Sequence, residues 1–274
     1  MTSGVTEHEP AALLALAVDV GREAGALLVS YATRCDLDVD TKTSATDPVS
    51  AADRASERLI SERVRAARPH DGLMGEEHAG DRSGSSGLRW VVDPLDGTVN
   101  FLYGIPQWSV SIAVEDADGP LCGVVYDPSR DETFTAVRGG GASIDGDPLR
   151  MIPPEQISDA LIATGFSYDP TLRRRQATML TELIGTVRDI RRFGSAALDL
   201  AWLGAGRWDG YAEFALHRWD YSAGSLIVQE AGGTVAHWAL ESDRVRTGLS
   251  AGSAAVQEHL AAWLQRSGAR RIEP

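Results

Sequence analysis

The feature that most constrains the fold is a change of hydrophobic pattern near the middle of the chain. Three apolar runs, separated by turn residues, read WSVSIAVE (108–115), LCGVVYD (121–127) and ETFTAVR (132–138). They predict a meander of antiparallel strands. From about residue 155 strand-like and helical segments alternate, beginning with ALIATGF and RRQATMLTELIGTV. Together the two patterns predict a mixed α/β (α+β) sandwich of two sheets layered with helices. We expect one domain over residues 1–274, with a soft internal boundary near 152–155.

The N-terminal part predicts two helices. Apolar residues recur at helical spacing over 11–31, despite two glycines. A second helix is expected to begin at the cap and first turn formed by Asp47 and Pro48 and to run to about Ala67. With 43 % hydrophobic residues the chain can bury a sizeable core without disulfides. Cys35 and Cys122 are therefore expected to be reduced packing residues.

The charge balance favours a small ligand over a nucleic acid. Lys and Arg total 26 and Asp and Glu total 39, which gives a net charge of −13. Phosphate backbones attract basic surfaces, so no nucleic-acid partner is expected. The stretch MTSGVTEHEP lacks a basic region followed by an apolar run, and no apolar segment approaches the roughly 20 residues that cross a bilayer. We therefore expect a cytoplasmic protein with no membrane partner.

The stretch WVVDPLDGTVNF (90–101) places two carboxylates three residues apart at the end of an apolar strand. Pro94 restricts the backbone and Gly97 permits a tight turn, so that Asp93 and Asp96 can face one space. Repulsion between them requires a nearby positive charge. Carboxylate oxygens next to a possible phosphate-binding helix start suggest Mg²⁺. For an isolated pair, a simple turn cap is the alternative.

Further acids lie beside other predicted elements, and each has a simpler interpretation. Glu76 and Glu77 follow an apolar strand, and Glu77 is expected to be a solvated surface charge. Asp53 lies within the second helix, where pairing with a charged residue on a wet face is the alternative. Asp220 opens a later helix, where N-capping would explain it. A lone histidine at position 217 is expected to be packed or solvated rather than a ligand.

Four blocks together resemble the inositol monophosphatase family over most of the chain. They are KTSATDPVSAAD (42–53), GEE (75–77), WVVDPLDGTVNF (90–101) and WDYSAGSLIVQEAGG (219–233), in this order. The third and fourth blocks are each specific for this family, and the joint occurrence of all four is more specific still. The resemblance implies a layered αβαβα sandwich of the inositol monophosphatase and fructose-1,6-bisphosphatase type. It also implies hydrolysis of a phosphate monoester by a metal-activated water.

The resemblance implies a binuclear Mg²⁺ site, with a possible third ion near Glu76. Asp93 would bridge the two ions. Glu76 would serve the first ion, and Asp96 with Asp220 would serve the second. The backbone carbonyl of Leu95 would be a further ligand. Lithium inhibition is expected on the same ground.

The family resemblance also implies how the water would be activated. Glu76 and a pair formed by Thr98 and Asp53 would hold it, with Asp53 accepting a hydrogen bond from the Thr98 hydroxyl. Amide groups of Gly97 and Thr98 would bind phosphate oxygens. Lys42, in a loop of the first block, would act electrostatically.

The leaving group would be read by the segment RFGSAALDL (192–200) and by Glu213. A plain helix N-cap and a surface glutamate are the respective alternatives. These residues favour myo-inositol 1-phosphate as substrate, and histidinol phosphate or a sugar phosphate such as fructose 1,6-bisphosphate remains open. The implied substrate-binding set is Gly97, Thr98, Asp96, Gly194, Ser195, Ala196, Glu213 and Asp220.

Two expectations about partners follow from the same resemblance. Family members commonly form homodimers, so a homodimer is expected here. Some bacterial relatives bind the transcription machinery, and a regulatory factor with secondary phosphatase activity is the alternative from another functional class. The complete set of acidic residues favours the enzyme.

Overall fold

The computed structural model describes residues 9–32, 39–41, 48–78, 80–240 and 247–273, with the backbone alone at 39–41 and 48–50. Cys35, Lys42 and Asp47 lie outside these residues. None of the helices in these ranges is long and apolar enough to cross a membrane. The helices in the described part are α1 (Pro10–Ala32), α2 (Ala51–Ala67), α3 (Thr98–Leu102), α4 (Pro170–Leu183), α5 (Ala196–Gly204), α6 (Arg218–Glu230) and α7 (Ala254–Arg266).

The strands of the first half belong mainly to one sheet. Apart from a small hairpin of β1 (Val39–Thr41) and β2 (Pro48–Ser50), they pair in sequence order into a seven-stranded sheet. All pairs in this sheet are antiparallel except the first, in which β3 runs parallel to β4. The predicted meander is therefore confirmed. The strands of this sheet are β3 (Gly72–Gly75), β4 (Arg89–Asp96), β5 (Ser109–Asp116), β6 (Gly119–Asp127), β7 (Glu132–Val137), β8 (Gly141–Ile144) and β9 (Asp147–Pro148).

The strands of the second half form a six-stranded mixed sheet in the order β11-β10-β12-β14-β13-β15. The predicted boundary at 152–155 falls between the residues of the two sheets. The strands are β10 (Leu161–Thr164), β11 (Asp189–Arg191), β12 (Gly210–Phe214), β13 (Thr234–Leu240), β14 (Thr247–Gly252) and β15 (Ala269–Ile272).

Hydrophobic packing arranges these elements in five layers. Helices α1 and α2 cover the outer face of the seven-stranded sheet. Helices α5 and α6 lie between the sheets, where their side chains share one core with strands of both. Helices α4 and α7 cover the outer face of the six-stranded sheet. This order is the expected αβαβα sandwich, so the predicted fold class is confirmed.

The predicted start of the second helix is wrong. Pro48–Ser50 is extended and pairs antiparallel with Val39–Thr41, so α2 begins only at Ala51. A proline at the first turn is compatible with a helix or with an edge strand, and pairing with a preceding segment decided between them. The short strands β8, β9 and β15 were not predicted as separate elements, whereas the helix start expected after Asp96 is the five-residue helix α3.

Close packing explains one of the two glycines inside α1. A Cβ built on Gly25 would lie 2.5 Å from Cε1 of Tyr126, whereas one on Gly21 would meet Ile112 and Val124 at 3.8 Å. Gly25 thus allows the helix to approach the sheet where an aromatic ring lies between them.

Candidate metal and phosphate site

The centre of the site is an irregularity at the end of β4. Asp93 pairs with Ser111 and Asp96 with Ser109, so one extra residue is accommodated on β4 between these pairs. A bulge of this kind turns side chains away from strict alternation. Gly97 follows with φ of 97°, and a Cβ there would lie 2.9 Å from the carbonyl oxygen of Gln107. Glycine therefore fits this turn, after which α3 begins at Thr98.

Thr98 and Asp53 meet across elements that are far apart in sequence. The Thr98 hydroxyl lies 3.1 Å from Oδ1 of Asp53 and 3.1 Å from the carbonyl oxygen of Leu95, either of which can accept its hydrogen bond. Asp53 is fully buried and Thr98 nearly so. The wet-face alternative for Asp53 is therefore wrong.

Asp53, Glu76 and Glu77 form a compact carboxylate group, with one oxygen of each within 4.8 Å of the others. The prediction that Glu77 is a solvated surface charge is wrong, because Glu77 is only partly exposed and belongs to this group. The loop after β3 turns both glutamates toward α2, which a two-residue acidic run cannot reveal.

Asp96 is anchored to the second half of the chain. Its Oδ2 accepts hydrogen bonds of 2.7 Å from the Ser195 hydroxyl and from the Ala197 amide at the start of α5. Burial raises the pKa of Asp96 to about 6, although these hydrogen bonds oppose the shift. Ser195 occupies the N-cap position of α5, but its hydroxyl bonds to Asp96 and not to the helix amides. Gly194 precedes it with φ of 92°, and Ala196 begins the helix.

Asp220 lies at the third position of α6, where its Oδ2 accepts a 2.6 Å hydrogen bond from the amide of His217. The N-cap residue is His217. The capping alternative is therefore wrong about the position of Asp220, which is the third residue of the helix and not its N-cap. Burial, and then the negative charges of Asp96 and Glu76, raise its pKa well above the ordinary value. Carboxyl groups from both halves of the chain thus interact through one space.

Asp93 is nearly fully buried, and its Oδ1 accepts the Leu95 amide at 3.1 Å. Metal ions prefer a set of oxygen donors that includes several carboxylates. Among the described residues, Asp53, Glu76 and Glu77 offer carboxylate oxygens close enough together to hold one ion. The negative charges of Asp96 and Glu76 also act on Asp220, and a divalent cation would relieve this repulsion. The donor chemistry therefore fits Mg²⁺.

Glu213 lies in β12 next to this acidic centre. Its Oε2 accepts a 2.8 Å hydrogen bond from the Tyr211 hydroxyl, and its carboxylate packs against the Cα of Gly165. Burial raises the pKa of Glu213 to about 7, and the charge of Asp96 adds to this effect. The surface alternative for Glu213 is wrong, because its side chain is partly buried and its carboxylate lies against Gly165, directly after β10.

The residues that join segments of the site were missed. The Asn100 amide donates to the carbonyl oxygens of Gln107 and Phe193, both at 2.7 Å. Ser56 and Glu57, in α2, are fully buried and bind the segments around Pro94 and Glu77. Their position one turn after Asp53 was the only signal in the sequence.

Solved structures with this fold identify the class of protein. The extragenic suppressor protein suhB from Bartonella henselae superposes with a TM-score of 0.85 and 37 % sequence identity, covering 93 % of this chain and 99 % of that one. An inositol monophosphatase from Thermotoga maritima superposes with a TM-score of 0.81 and 29 % identity, over 93 % and 97 % of the two chains. The five-layered architecture is therefore that of the inositol monophosphatases.

Sequence comparisons carry the identification further. A Nus factor SuhB of Haemophilus influenzae is 40 % identical over 251 residues, which cover 90 % of this chain and 94 % of that protein. The family model described as the inositol monophosphatase family matches residues 9–269. The chain belongs to the inositol monophosphatase family, a family of metal-dependent phosphatases. The family resemblance seen in the sequence is confirmed.

Proposed function

We propose that this protein hydrolyses a phosphate monoester in a Mg²⁺-dependent reaction, with myo-inositol 1-phosphate as the substrate. The observation that carries the proposal is the compact carboxylate group of Asp53, Glu76 and Glu77, in which Asp53 also faces the buried Thr98 hydroxyl. The charges of Glu76 and Asp96 extend this acidic centre to Asp220 of α6. A relative of Rhizobium meliloti named inositol-1-monophosphatase supports the substrate. It is 43 % identical over 231 residues, covering 82 % of this chain and 84 % of that protein.

The residues proposed to hold two Mg²⁺ ions, with a possible third near Glu76, are those predicted from the sequence. Asp93 would serve both ions, and Glu76, Asp96, Asp220 and the carbonyl of Leu95 would complete the set. Bound Mg²⁺ would neutralise the carboxylates, polarise the phosphoryl oxygens and lower the pKa of the attacking water.

Thr98 is proposed to accept a proton from the attacking water, and Asp53 is proposed to orient the Thr98 hydroxyl by accepting its hydrogen bond. When Asp53 accepts the Thr98 hydrogen, a lone pair of the hydroxyl oxygen is free to accept a hydrogen bond from water. Burial of both residues keeps bulk water from competing for these bonds. The amides of Gly97 and Thr98 are proposed to bind the phosphate oxygens. Lys42, outside the described residues, is proposed to add positive charge.

Glu213 is proposed to bind hydroxyl groups of the leaving inositol, together with the segment Gly194–Ala196. A carboxylate accepts hydrogen bonds from a polyol, and Tyr211 fixes its orientation by donating to one oxygen. A site built to accept such bonds rejects a substrate that lacks the matching donors.

A panel of phosphate esters tests the substrate assignment. We expect kcat/KM for myo-inositol 1-phosphate to exceed those for histidinol phosphate and fructose 1,6-bisphosphate by at least about tenfold, because the leaving groups present different donors. Turnover should require Mg²⁺ and should fall in lithium. A tenfold preference for histidinol phosphate would reverse the assignment while leaving the phosphatase class intact.

A regulatory role is a second candidate, because several relatives, including that of Haemophilus influenzae, are named Nus factor SuhB. Such a protein would bind the transcription machinery, and hydrolysis would be secondary. Pull-down of RNA polymerase and antitermination factors by wild type and by Asp93→Asn separates the roles. Retained binding by a variant without turnover supports a regulatory role, and absence of binding by wild type excludes it.

We also propose a homodimer, as is common in the family. Sedimentation equilibrium of the purified protein tests this proposal, with a mass of twice 29.3 kDa expected.

A further inference from the structure

One face of α2 carries three fully buried polar side chains. Asp53, Ser56 and Glu57 are each 0 % exposed. They are spaced three and four residues apart, which places them together on one side of a helix. Charged residues are rarely buried unless they are paired or hydrogen-bonded, so we expect each of these side chains to have a specific partner.

Each of the three side chains binds a different segment of the site. Asp53 faces the Thr98 hydroxyl at the start of α3. The Ser56 hydroxyl donates to the carbonyl oxygen of Pro94, in the irregular part of β4, at 2.8 Å. Oε2 of Glu57 accepts the amide of Glu77, in the loop after β3, at 2.6 Å. One rigid helix thus holds the three segments that carry Thr98, Asp93 and Glu76.

The contact made by Glu57 is closely fitted. A Cβ built on Gly75 would lie 2.6 Å from the carboxyl carbon of Glu57, so this carboxylate packs directly on the Cα of Gly75. The amide that it accepts belongs to the peptide group between Glu76 and Glu77. The neighbouring amides also donate hydrogen bonds. The Glu76 amide donates to the carbonyl oxygen of Val92, and the Gly75 amide donates to the Asp81 carboxylate. Of these three consecutive amides, Glu57 holds the one in the peptide group between Glu76 and Glu77.

We propose that Glu57 is a positioning residue for the metal centre, which fixes the peptide between Glu76 and Glu77 and thereby aims both carboxylates. This inference rests on the proposed function, because it assumes that Glu76 binds Mg²⁺. Glu57 acts through the loop and does not itself contact the ion or the substrate. This role depends on the distance between the acceptor oxygen of Glu57 and the backbone of α2, and not on the negative charge of the side chain.

Two substitutions separate reach from charge. Glu57→Gln keeps an acceptor oxygen at the same distance from the helix and removes the charge. Glu57→Asp keeps the charge and withdraws the acceptor by about 1.5 Å, one carbon–carbon bond. Mg²⁺ binding is measured by calorimetric titration of the metal-free proteins, alongside hydrogen exchange of the Glu77 amide.

We expect Glu57→Asp to weaken Mg²⁺ binding about tenfold and to speed exchange of the Glu77 amide, because loss of a well-placed outer partner costs about 10–100-fold in metal affinity. Glu57→Gln should bind Mg²⁺ within about threefold of wild type. Equal binding by wild type and Glu57→Asp would overturn the inference. Equal weakening in both variants would also overturn it, since charge would then be the important property.

Glu230 supplies a matched control. It is also a helical glutamate that accepts loop amides, those of Gly139 and Gly141 at 2.8 and 2.9 Å, and it lies at the opposite end of α6 from Asp220. Glu230→Asp should leave Mg²⁺ binding unchanged. If Glu57→Asp does not fold, Gly75→Ala is used, because its methyl group displaces the Glu57 carboxylate. Unaltered Mg²⁺ binding by Gly75→Ala would overturn the inference.

Failure of the proposed function has a different signature. Wild-type protein that takes up no Mg²⁺ in the titration would contradict the metal-dependent activity itself. Wild-type protein that binds Mg²⁺ while Glu57→Asp binds it equally well contradicts only the positioning role.

Discussion

Asp93 and Asp96 lie three positions apart in the sequence but have different partners. Asp93 contacts the amide of Leu95 within its own turn, whereas Asp96 bonds to Ser195 and Ala197 of a helix almost 100 residues later. Two acids of one short motif therefore have distinct structural duties. Asp96 links the two halves of the chain, whereas Asp93 is nearly fully buried and bonds within its own turn.

Replacement of Asp93 by asparagine should abolish turnover without unfolding the protein. The amide keeps the shape of the side chain and removes the charge that the proposed site uses for both ions. We expect kcat/KM to fall by more than about a hundredfold, since metal ions supply several kcal/mol of transition-state stabilisation. Circular dichroism should be unchanged. Asp118→Asn, at an exposed turn, serves as control, and full activity of Asp93→Asn would contradict the bridging role.

Thr98→Val tests the proposed proton route. Valine has nearly the same shape as threonine but cannot bond to Asp53 or accept a proton. We expect kcat to fall by about 10²–10⁴-fold, the usual contribution of a positioned acid–base group. The measurement is the initial rate at saturating Mg²⁺. Thr234→Val, which loses a hydroxyl bond to Gly252 in another part of the chain, should keep full activity.

At the residue scale the motifs single out Asp53, Glu76, Asp93, Asp96 and Asp220, because each lies in a recognisable block. Their role as metal ligands stays a prediction, and the residues that support them were not predicted. Glu57 and Glu77 could not be predicted, because burial of a helical or loop glutamate depends on which segments pack against it. Tertiary packing decides this, and a single sequence does not encode it in a short pattern.

Helix α1 offers a test of packing at the scale of an element. Gly25→Ala would push a methyl group into the ring of Tyr126, and overpacking of this kind costs about 1–3 kcal/mol. Gly21→Ala meets only ordinary contacts, so improved helix propensity should stabilise the protein by up to about 1 kcal/mol. Urea unfolding of the two variants checks the opposite signs. Equal effects would contradict the close approach at Gly25.

The ion pair between Asp116, at the end of β5, and Arg138, directly after β7, makes a pH-dependent contribution to stability. A two-pronged hydrogen bond from Arg138 holds the pKa of Asp116 below its ordinary value of 3.8, although partial burial opposes this shift. A carboxyl group with a lowered folded-state pKa contributes its full stabilisation above the unfolded pKa and loses it as pH falls through the folded pKa. Asp116→Asn should therefore cost about 0.5–1 kcal/mol at pH 7 and less at pH 3. Unfolding in urea at the two pH values provides the measurement.

Cys122, in β6, should be chemically silent in the folded protein. Its thiol is fully buried, and burial raises its pKa to about 12. Since the thiolate is the reactive form, iodoacetamide should modify Cys122 only after denaturation. Mass spectrometry of labelled peptides distinguishes it from Cys35, and rapid native labelling of Cys122 would contradict its burial.

Elements with a strong period could be predicted, whereas three of the short strands, β8, β9 and β15, could not. The meander and the alternating second half follow from hydrophobic pattern over many residues. The start of α2 was misplaced because pairing of Pro48–Ser50 with Val39–Thr41 is a tertiary event. Strands β8 and β9, with one buried residue between them, bury too few side chains to leave a periodic signal.

For the whole molecule, Mg²⁺ should act as a stabilising ligand. Binding to the folded state alone adds about 2.7 kcal/mol at a concentration one hundred times Kd. For a chain of this size that corresponds to a rise in Tm of roughly 5–10 °C. Thermal unfolding with Mg²⁺ and with a chelator, at matched ionic strength, measures this difference. Asp93→Asn should show a smaller rise, and an equal rise would indicate binding elsewhere.

The hydrogen bonds from Ser195 and Ala197 to Asp96 join the two halves of the chain, so the protein can be divided between them. A cut between the two sheets, near residue 153, leaves Glu76, Asp93 and Asp96 on one fragment and Asp220 on the other. Neither piece could turn over substrate by itself. If the proposed hydrolysis returned when the two fragments were mixed, the fragments would have reassembled with the acidic residues of both halves in place. Activity would then measure how completely the fragments associate.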